Sequence, residues 1–193
     1  MLLRGWINFL FALSFGLGFG VWSAQFAVQN GSASPSSTNG AWQAIEEISA
    51  NENNPYVLAH TALHGNLKLS NFEALYFTAG KDDLGRKLAG NCDYVLKGKS
   101  PDARWWSLTI YNKAGNLIAN QADRYSFNST NLKIYDGRDY TISLATNARA
   151  GNWIPIKADA SFVIMLRLYL PNTNSIRDTR QIAFPVIERL RCS

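Results

Sequence analysis

Charge is scarce in this chain, and over one long stretch it is absent. Asp, Glu, Lys and Arg make up 17% of the 193 residues, and none of them falls between Gly5 and Ile45. With 47% hydrophobic residues, so little charge excludes a chain that stays disordered throughout. The formal net charge of +5 is spread thinly, without a Lys/Arg block. That sets nucleic-acid binding aside, which calls for a basic stripe. His and Cys number two each, too few and too dispersed for a zinc-type centre. Ser107 and Ser126 sit in no G-x-S-x-G turn, so the usual elbow of a serine nucleophile is missing. The Gly-x-Gly-x-Gly run from Gly16 to Gly20 lies inside an apolar segment and not in a strand-to-helix phosphate loop. These patterns call for no metal and no cofactor.

What is present begins with the uncharged stretch. "GWINFLFALSFGLGFGVWSAQFAV" is apolar for about 24 residues, enough to cross a bilayer as a tilted helix. Arg4 precedes it, which predicts an N-terminus in the cytoplasm and the remainder outside. Trp6 and Trp22 stand near its two ends, where interfacial aromatics belong. A cleaved signal peptide is the competing reading, but it needs small residues at −3 and −1. Cutting after Ala24 puts Trp22 at −3, and cutting after Ala27 puts Gln25 there, so an uncleaved signal anchor over residues 1–28 is the expectation. Ala12, Gly16, Gly20 and Ala24 recur every four residues, a small-xxx-small stripe that lets membrane helices approach. A homodimer through Gly16 and Gly20 follows as an expectation; the plainer reading is that small residues are common in membrane spans. Residues 29–40 are rich in Gly, Ser and Asn and read as a flexible stalk, leaving 41–193 as one domain.

In a domain held outside the cell's reducing compartment, Cys92 and Cys192 are expected to pair. Ala41–Ser49 predicts a short helix with Trp42, Ile45 and Ile48 on one side. A second helix is predicted from the cap Asn54 and Pro55 to Gly65, with Val57, Leu58, Ala59, Ala62 and Leu63 as its apolar stripe.

From there the pattern changes to strands. Glu73–Ala79, Cys92–Gly98 and Ala103–Asn112 read as strands, the last joined through Lys113–Asn116 to Leu117–Asn120 as a hairpin. Asp136-Gly137 predicts a second hairpin turn between alternating runs. Ser161–Leu170 alternates most strongly, and Arg180–Leu190 closes the chain, with Pro185 suggesting an edge or bulge. The prediction is a mainly β protein: a jelly-roll-like β-sandwich with two short N-terminal helices, preceded by one transmembrane helix.

The phrases "NPYVLAHTA", "EALYF", "DDLGRKL", "CDYVLKG", "ARWWSLTIYN", "RYSFNS", "GNWIPI" and "LRLYLP" occur in this order. Together they resemble the bacterial domain of unknown function 1214 family, from about Ala41 to the C-terminus. The resemblance implies a jelly-roll-like β fold, small membrane-anchored relatives, and a partner protein of the domain of unknown function 1254 family. It implies no established reaction. With the anchor, it places the chain in the bacterial inner membrane as a single-pass protein with a periplasmic domain. "SLATNARAGNW" departs from the pattern, because a Ser-Pro pair is expected after that strand.

Several residues invite chemistry, and each has a plainer reading. His60 and His64 share a helix face at metal-ligand spacing, yet two surface histidines explain them as well. Asp82 and Asp83 are adjacent carboxylates, but neighbours seldom converge on one bond, and Asp82 suits a cap. The stronger set is aromatic and cationic. Trp105, Ser107, Thr109 and Tyr111 share one face of a strand, and Arg167 and Tyr169 share one face of another. Asn120, Arg124 and Trp153 lie on irregular segments nearby in sequence. Trp105, Tyr111, Asn120, Arg124, Trp153, Arg167 and Tyr169 are therefore the candidate ligand-binding residues, as aromatic faces with a few polar groups make a small-ligand or glycan pocket. The plainer reading fills the core with the Trp residues and pairs Arg167 with Asp93, Asp123 or Asp139. Trp106, with Leu108 and Ile110, is expected in the core, and Trp105 on the second face. The function expected is a non-catalytic binding or interaction module of the cell envelope. A hydrolase, alone or completed by a partner, and a structural subunit of an envelope complex are the alternatives.

Overall fold

The computed structural model describes residues 2–30, 38–44, 55, 59, 62–63, 69–70, 72–134 and 137–193. Helix α1 (Leu2–Asn30) is largely apolar, and its span Arg4–Gln29 is long and apolar enough to cross a membrane. The folded part is mainly β. Its strands are β1 (Thr38–Asn39), β2 (Trp42–Ala44), β3 (Ala74–Ala79), β4 (Cys92–Lys99) and β5 (Ala103–Asn112). They continue with β6 (Ser126–Asn128), β7 (Asp139–Ala145), β8 (Trp153–Pro155) and β9 (Phe162–Pro171), then helix α2 (Thr173–Arg177) and β10 (Val186–Cys192). One sheet has six strands in the order β1-β2-β3-β9-β5-β6, and the other has four in the order β10-β4-β7-β8.

Period-two alternation builds the space between the sheets. Leu75 and Phe77 on β3, Trp106, Leu108 and Ile110 on β5, and Ile164, Leu166 and Leu168 on β9 point inward. Tyr94 and Leu96 on β4, Tyr140, Ile142 and Leu144 on β7, and Ile154 on β8 meet them from the second sheet. Trp106 stacks on Tyr140 at 5.4 Å, and Tyr94 sits edge-on to Phe162 at 5.7 Å, so aromatic pairs join the two sheets. Burying each such side chain contributes about 1.5–3 kcal/mol. Gly90 allows a close crossing: a Cβ there would stand 1.7 Å from the Lys157 carbonyl oxygen.

The expected disulfide is present. Cys92 and Cys192 are opposite one another in the antiparallel β4–β10 pair, at S–S 2.02 Å. It closes a loop with a sequence separation of 100. In the chain-entropy picture, closure of a loop this long contributes about 4–5 kcal/mol.

Several local expectations change. Trp42–Ala44, read as the start of a helix, is strand β2, because Trp42 and Ala44 alternate inward beside Gln43. Trp42 stacks on Phe184 and donates Nε1–H to the Pro185 carbonyl, tertiary contacts that outweigh a weak helical pattern. Residues 45–50 lie outside the described residues. Of the second predicted helix only Pro55, Ala59, Ala62 and Leu63 are described, all helical; Tyr56, His60 and His64 lie outside. Within the predicted stalk, Thr38 and Asn39 pair with Gln43 and Trp42 around Gly40, whose φ of +61° suits glycine.

The hairpin predicted through Leu117–Asn120 reduces to a single bridge, Tyr111 with Leu117. The Asn112 side chain accepts from Ala114 and Asn116, which closes the turn, while β5 pairs along its length with β9. Gly137 lies in a turn with φ +56°, but the strand after it pairs with β4 and, in parallel, with β8, not with the residues before the turn. The last strand begins at Val186, one residue after Pro185, and forms an edge, as the proline suggested. Helix α2 carried no expectation; Asn172 caps it by accepting from Ser175 N–H at 2.8 Å.

Candidate functional site

The six-stranded sheet has a second face, and its residues follow from register. On β5 and β9, Trp105 lies opposite Tyr169, Ser107 opposite Arg167, Thr109 opposite Met165, and Tyr111 opposite Val163. On the other side of β9, Tyr76 of β3 lies opposite Arg167. One row across the sheet therefore reads Tyr76, Arg167, Ser107, and β6 adds Asn128 beside Ser107.

Arg167 is half-buried, and its guanidinium carbon lies 5.3 Å from the centre of the Tyr111 ring. Tyr111 is four residues beyond Ser107, about 13 Å along a strand. The arginine must therefore lie along the sheet, across the row of Thr109 and Met165, to reach that ring. Below it, the Tyr169 ring packs against Trp105 at 5.4 Å and edge-on to Tyr76 at 6.4 Å. Ser107 and Thr109, each 7% exposed, place two hydroxyls under this aromatic layer. Leu69 packs against Ala74 and Tyr76 at its margin.

The acids expected to pair with Arg167 are engaged elsewhere. Asp93 takes Arg149 at 2.8 Å and Arg191 at 3.0 Å. Asp139 faces Lys99 at 3.8 Å, and Asp123 accepts from the Tyr125 hydroxyl. Among the described residues Arg167 meets no carboxylate. A half-buried cation without an acid is costly to hold unless something else faces it, and here that is a ring.

The other three candidates form a separate group. Asn120 organises its own loop, accepting from Ala122 and Arg124 N–H and donating to the Arg124 carbonyl. Arg124 donates from Nη1 to the Trp153 carbonyl at 3.2 Å and lies 5.9 Å from both the Phe127 and Trp153 rings. Trp153 donates Nε1–H to the Ala145 carbonyl. Since β6 and β8 are the outer strands of the two sheets, Arg124 bridges the edges of the two sheets. The single cluster expected from the sequence is thus two: Trp105, Tyr111, Arg167 and Tyr169 on one sheet face, and Asn120, Arg124 and Trp153 at an edge. The second group is held by internal hydrogen bonds. Tyr76, which completes the first group, carried no expectation; only the register of β3 against β9 brings it beside Arg167.

The adjacent carboxylates resolve as anchors. Asp82 is 1% exposed and accepts from Leu84 N–H, Arg86 N–H and Arg86 Nε, with Arg189 Nε 3.1 Å away. Burial raises its pKa, but the hydrogen bonds from Arg86 and the charges of Arg86 and Arg189 outweigh it and leave the carboxyl below its ordinary value. Asp93 behaves alike: burial raises it, and Arg149 and Arg191 pull it below the ordinary value. Asp83 accepts from Ile187 N–H. No cluster of three His, Cys, Asp or Glu side chains able to hold a metal occurs among the described residues.

The fold and site define a two-sheet β domain behind an apolar N-terminal helix, with an aromatic and cationic face on its larger sheet. Residues 73–173 match the family described as protein of unknown function DUF1214, and the chain belongs to that family. The matched segment includes β3, β5 and β9, which carry the whole face. Among solved structures the chain is similar to the VPA0106 protein from Vibrio parahaemolyticus, at 22% identity and a TM-score of 0.59. That match covers 91% of this chain and 44% of the other. It is also similar to an uncharacterised protein from Burkholderia cenocepacia, at 18% identity and a TM-score of 0.45, covering 94% of this chain and 43% of the other. This chain therefore spans less than half the length of either protein. No curated protein matches it.

Proposed function

We propose that this protein is a membrane-anchored, non-catalytic binding module, with the face formed by Trp105, Tyr111, Arg167 and Tyr169 as its recognition surface. One observation carries the reading. Arg167 meets no carboxylate among the described residues and lies against the Tyr111 ring. A guanidinium in that setting suits a carboxylate, phosphate or carbonyl-rich group, and the flanking rings suit the apolar part of a glycan, lipid or peptide. The buried Asp82 and half-buried Asp93 are saturated by arginines, which argues against either as a free general acid or base.

The wider reading rests on the anchor and the family. It is a signal-anchored, single-pass protein of the bacterial inner membrane with a jelly-roll-like domain in the periplasm. It works beside a protein of the domain of unknown function 1254 family and self-associates through Gly16 and Gly20. The length of the similar structures, more than twice that of this chain, fits a function completed by a second domain or chain.

The full chain in a neutral detergent, screened against arrays of glycans, lipids and peptides, tests the proposal. A binding module retains its unfolding midpoint but loses its ligand in Trp105→Ala and Arg167→Ala. Turnover in a broad hydrolase screen would replace this reading with the catalytic one. Co-purification with a partner, with neither binding nor turnover, would replace it with the structural one.

A further inference from the structure

A second site lies at the end of the aromatic face beyond Tyr111, where β2, β5 and β9 approach the Lys81–Ala89 loop. It is a groove of about 310 Å³ lined by Lys81, Lys87 and Lys113, with Ala41 and Val163 as its apolar wall and Leu88 and Phe162 beneath. Leu88 is 2% exposed and Phe162 1%, so these two are core beneath the groove, and the half-buried Ala41 and Val163 are its accessible apolar side chains. The loop is pinned across the groove by pairing of Lys81 with Lys87 and of Ala89 with Ser161, and by Leu88 N–H donating to the Gly80 carbonyl. The lysines are thus presented from a fixed frame.

No carboxylate lines the groove, and none of the three lysines makes an ion pair among the described residues. The acids next in sequence are already engaged, Asp82 by Arg86 and Arg189 and Asp83 by Ile187 N–H. Three like charges around one cavity repel one another, and an anion relieves that repulsion. Groove-lining Ala41 follows the end of α1 by only eleven residues, a chain that reaches at most about 40 Å. With α1 in a bilayer, the groove is held close to the lipid headgroups.

We propose that this groove binds a phosphate-bearing amphiphile, its phosphate among Lys81, Lys87 and Lys113 and its apolar part along Ala41 and Val163. The phosphate has two sources, a phospholipid headgroup of the anchoring bilayer or a soluble phosphate ester. Val163 lies opposite Tyr111, so the groove borders the Arg167 face, but the three lysines belong to the groove alone and their substitution tests it separately.

The full chain is reconstituted into nanodiscs of phosphatidylcholine alone, or of phosphatidylcholine with phosphatidic acid. Amine acetylation of each lysine is then read by peptide mass spectrometry, with the exposed Lys133 and Lys157 as internal references. Protection of the three groove lysines only in the anionic discs assigns the bilayer headgroup. Protection in neutral discs on adding soluble dihexanoyl phosphatidic acid assigns a free amphiphile. In calorimetry with that soluble lipid, replacing one lysine by Gln weakens binding about fivefold and replacing all three roughly hundredfold. Equal acetylation of groove and reference lysines in every condition overturns the proposal. So does unchanged affinity in the triple variant K81Q/K87Q/K113Q with its unfolding midpoint retained. Inorganic phosphate binding as tightly as the lipid removes the apolar wall's role and overturns the amphiphile.

Discussion

On one face of the β5–β9 pair, Trp106, Leu108 and Ile110 lie opposite Leu168, Leu166 and Ile164. On the reverse face of the same two strands, Trp105, Ser107, Thr109 and Tyr111 lie opposite Tyr169, Arg167, Met165 and Val163. The backbone pairing is shared, so the difference is purely one of side chains. The inner face is closed: every one of its six residues is buried, and its one polar atom, Trp106 Nε1–H, is satisfied by the Ser100 hydroxyl at 2.9 Å. The outer face holds hydroxyls, rings and a guanidinium. Such a set adds little to a core, since buried polar groups at best offset their own desolvation. The comparison teaches that one pairing of two strands builds a purely apolar face and a mixed one, in which Ser107, Thr109 and Met165 are buried while Trp105, Tyr111, Arg167 and Tyr169 stay half-buried.

The largest effect tests the inner face. Trp106→Ala removes a fully buried indole and its hydrogen bond, and is expected to lower stability by about 3–5 kcal/mol in urea unfolding. A loss as small as that of an exposed residue would erase the contrast between the faces.

Charge placement sharpens it next. Asp82 is an acid saturated by cations, whereas Arg167 is a cation without an acid among the described residues. Asp82→Asn is expected to cost about 2–3 kcal/mol, below the full penalty of a broken buried pair because Arg86 is half-exposed. The pH dependence has the matching sign. Asp82 and Asp93 both lie below the ordinary value of 3.8 in the folded state. The unfolded chain therefore binds protons first as the pH falls. The stabilisation is fully present above 3.8 and is lost as the pH drops through the folded-state values. Thermal unfolding followed between neutral pH and pH about 2 should show this decline, and Asp82→Asn should flatten it.

The outer face provides the smaller effects. Trp105→Ala is expected to cost about 1 kcal/mol, the worth of a half-buried ring with one aromatic partner. Arg167→Met removes one cation–ring contact, about 0.5–1 kcal/mol, and keeps much of the side chain's packing. Both variants should abolish ligand binding at nearly unchanged melting temperature. If Arg167→Met destabilised as much as Trp106→Ala, the arginine would be a structural element and the outer face no recognition surface.

Much of this was legible because alternation is local. The bounds of β5 were readable residue by residue, as was the division of Trp105 from Trp106, since a strand sends neighbours to opposite faces whatever it packs against. The hairpin after β5 was misread for a related reason: Asn112 to Asn116 does form a turn, but a turn does not choose the partner strand. After the single Tyr111–Leu117 bridge, β6 takes that edge of β5, and β9, distant in sequence, takes the other. Trp42 was misread because its burial depends on Phe184 and Pro185, far along the chain. Grouping Asn120, Arg124 and Trp153 with Arg167 failed for want of the strand order, which puts them at the sheet edge.

The sequence alone determined the apolar segment ahead of the domain, the mainly β character, the cysteine pair and the two-faced strand. Each rests on composition, on short-range periodicity, or on there being only two cysteines to join. Tertiary structure alone decided which strands are neighbours, and hence that Arg167 faces Tyr76, Ser107 and Tyr111 and no acid among the described residues. It also decided that three lysines dispersed between residues 81 and 113 converge on one groove. Long-range pairing is set by which apolar faces bury best together, and that is a property of the whole chain rather than of any stretch of it.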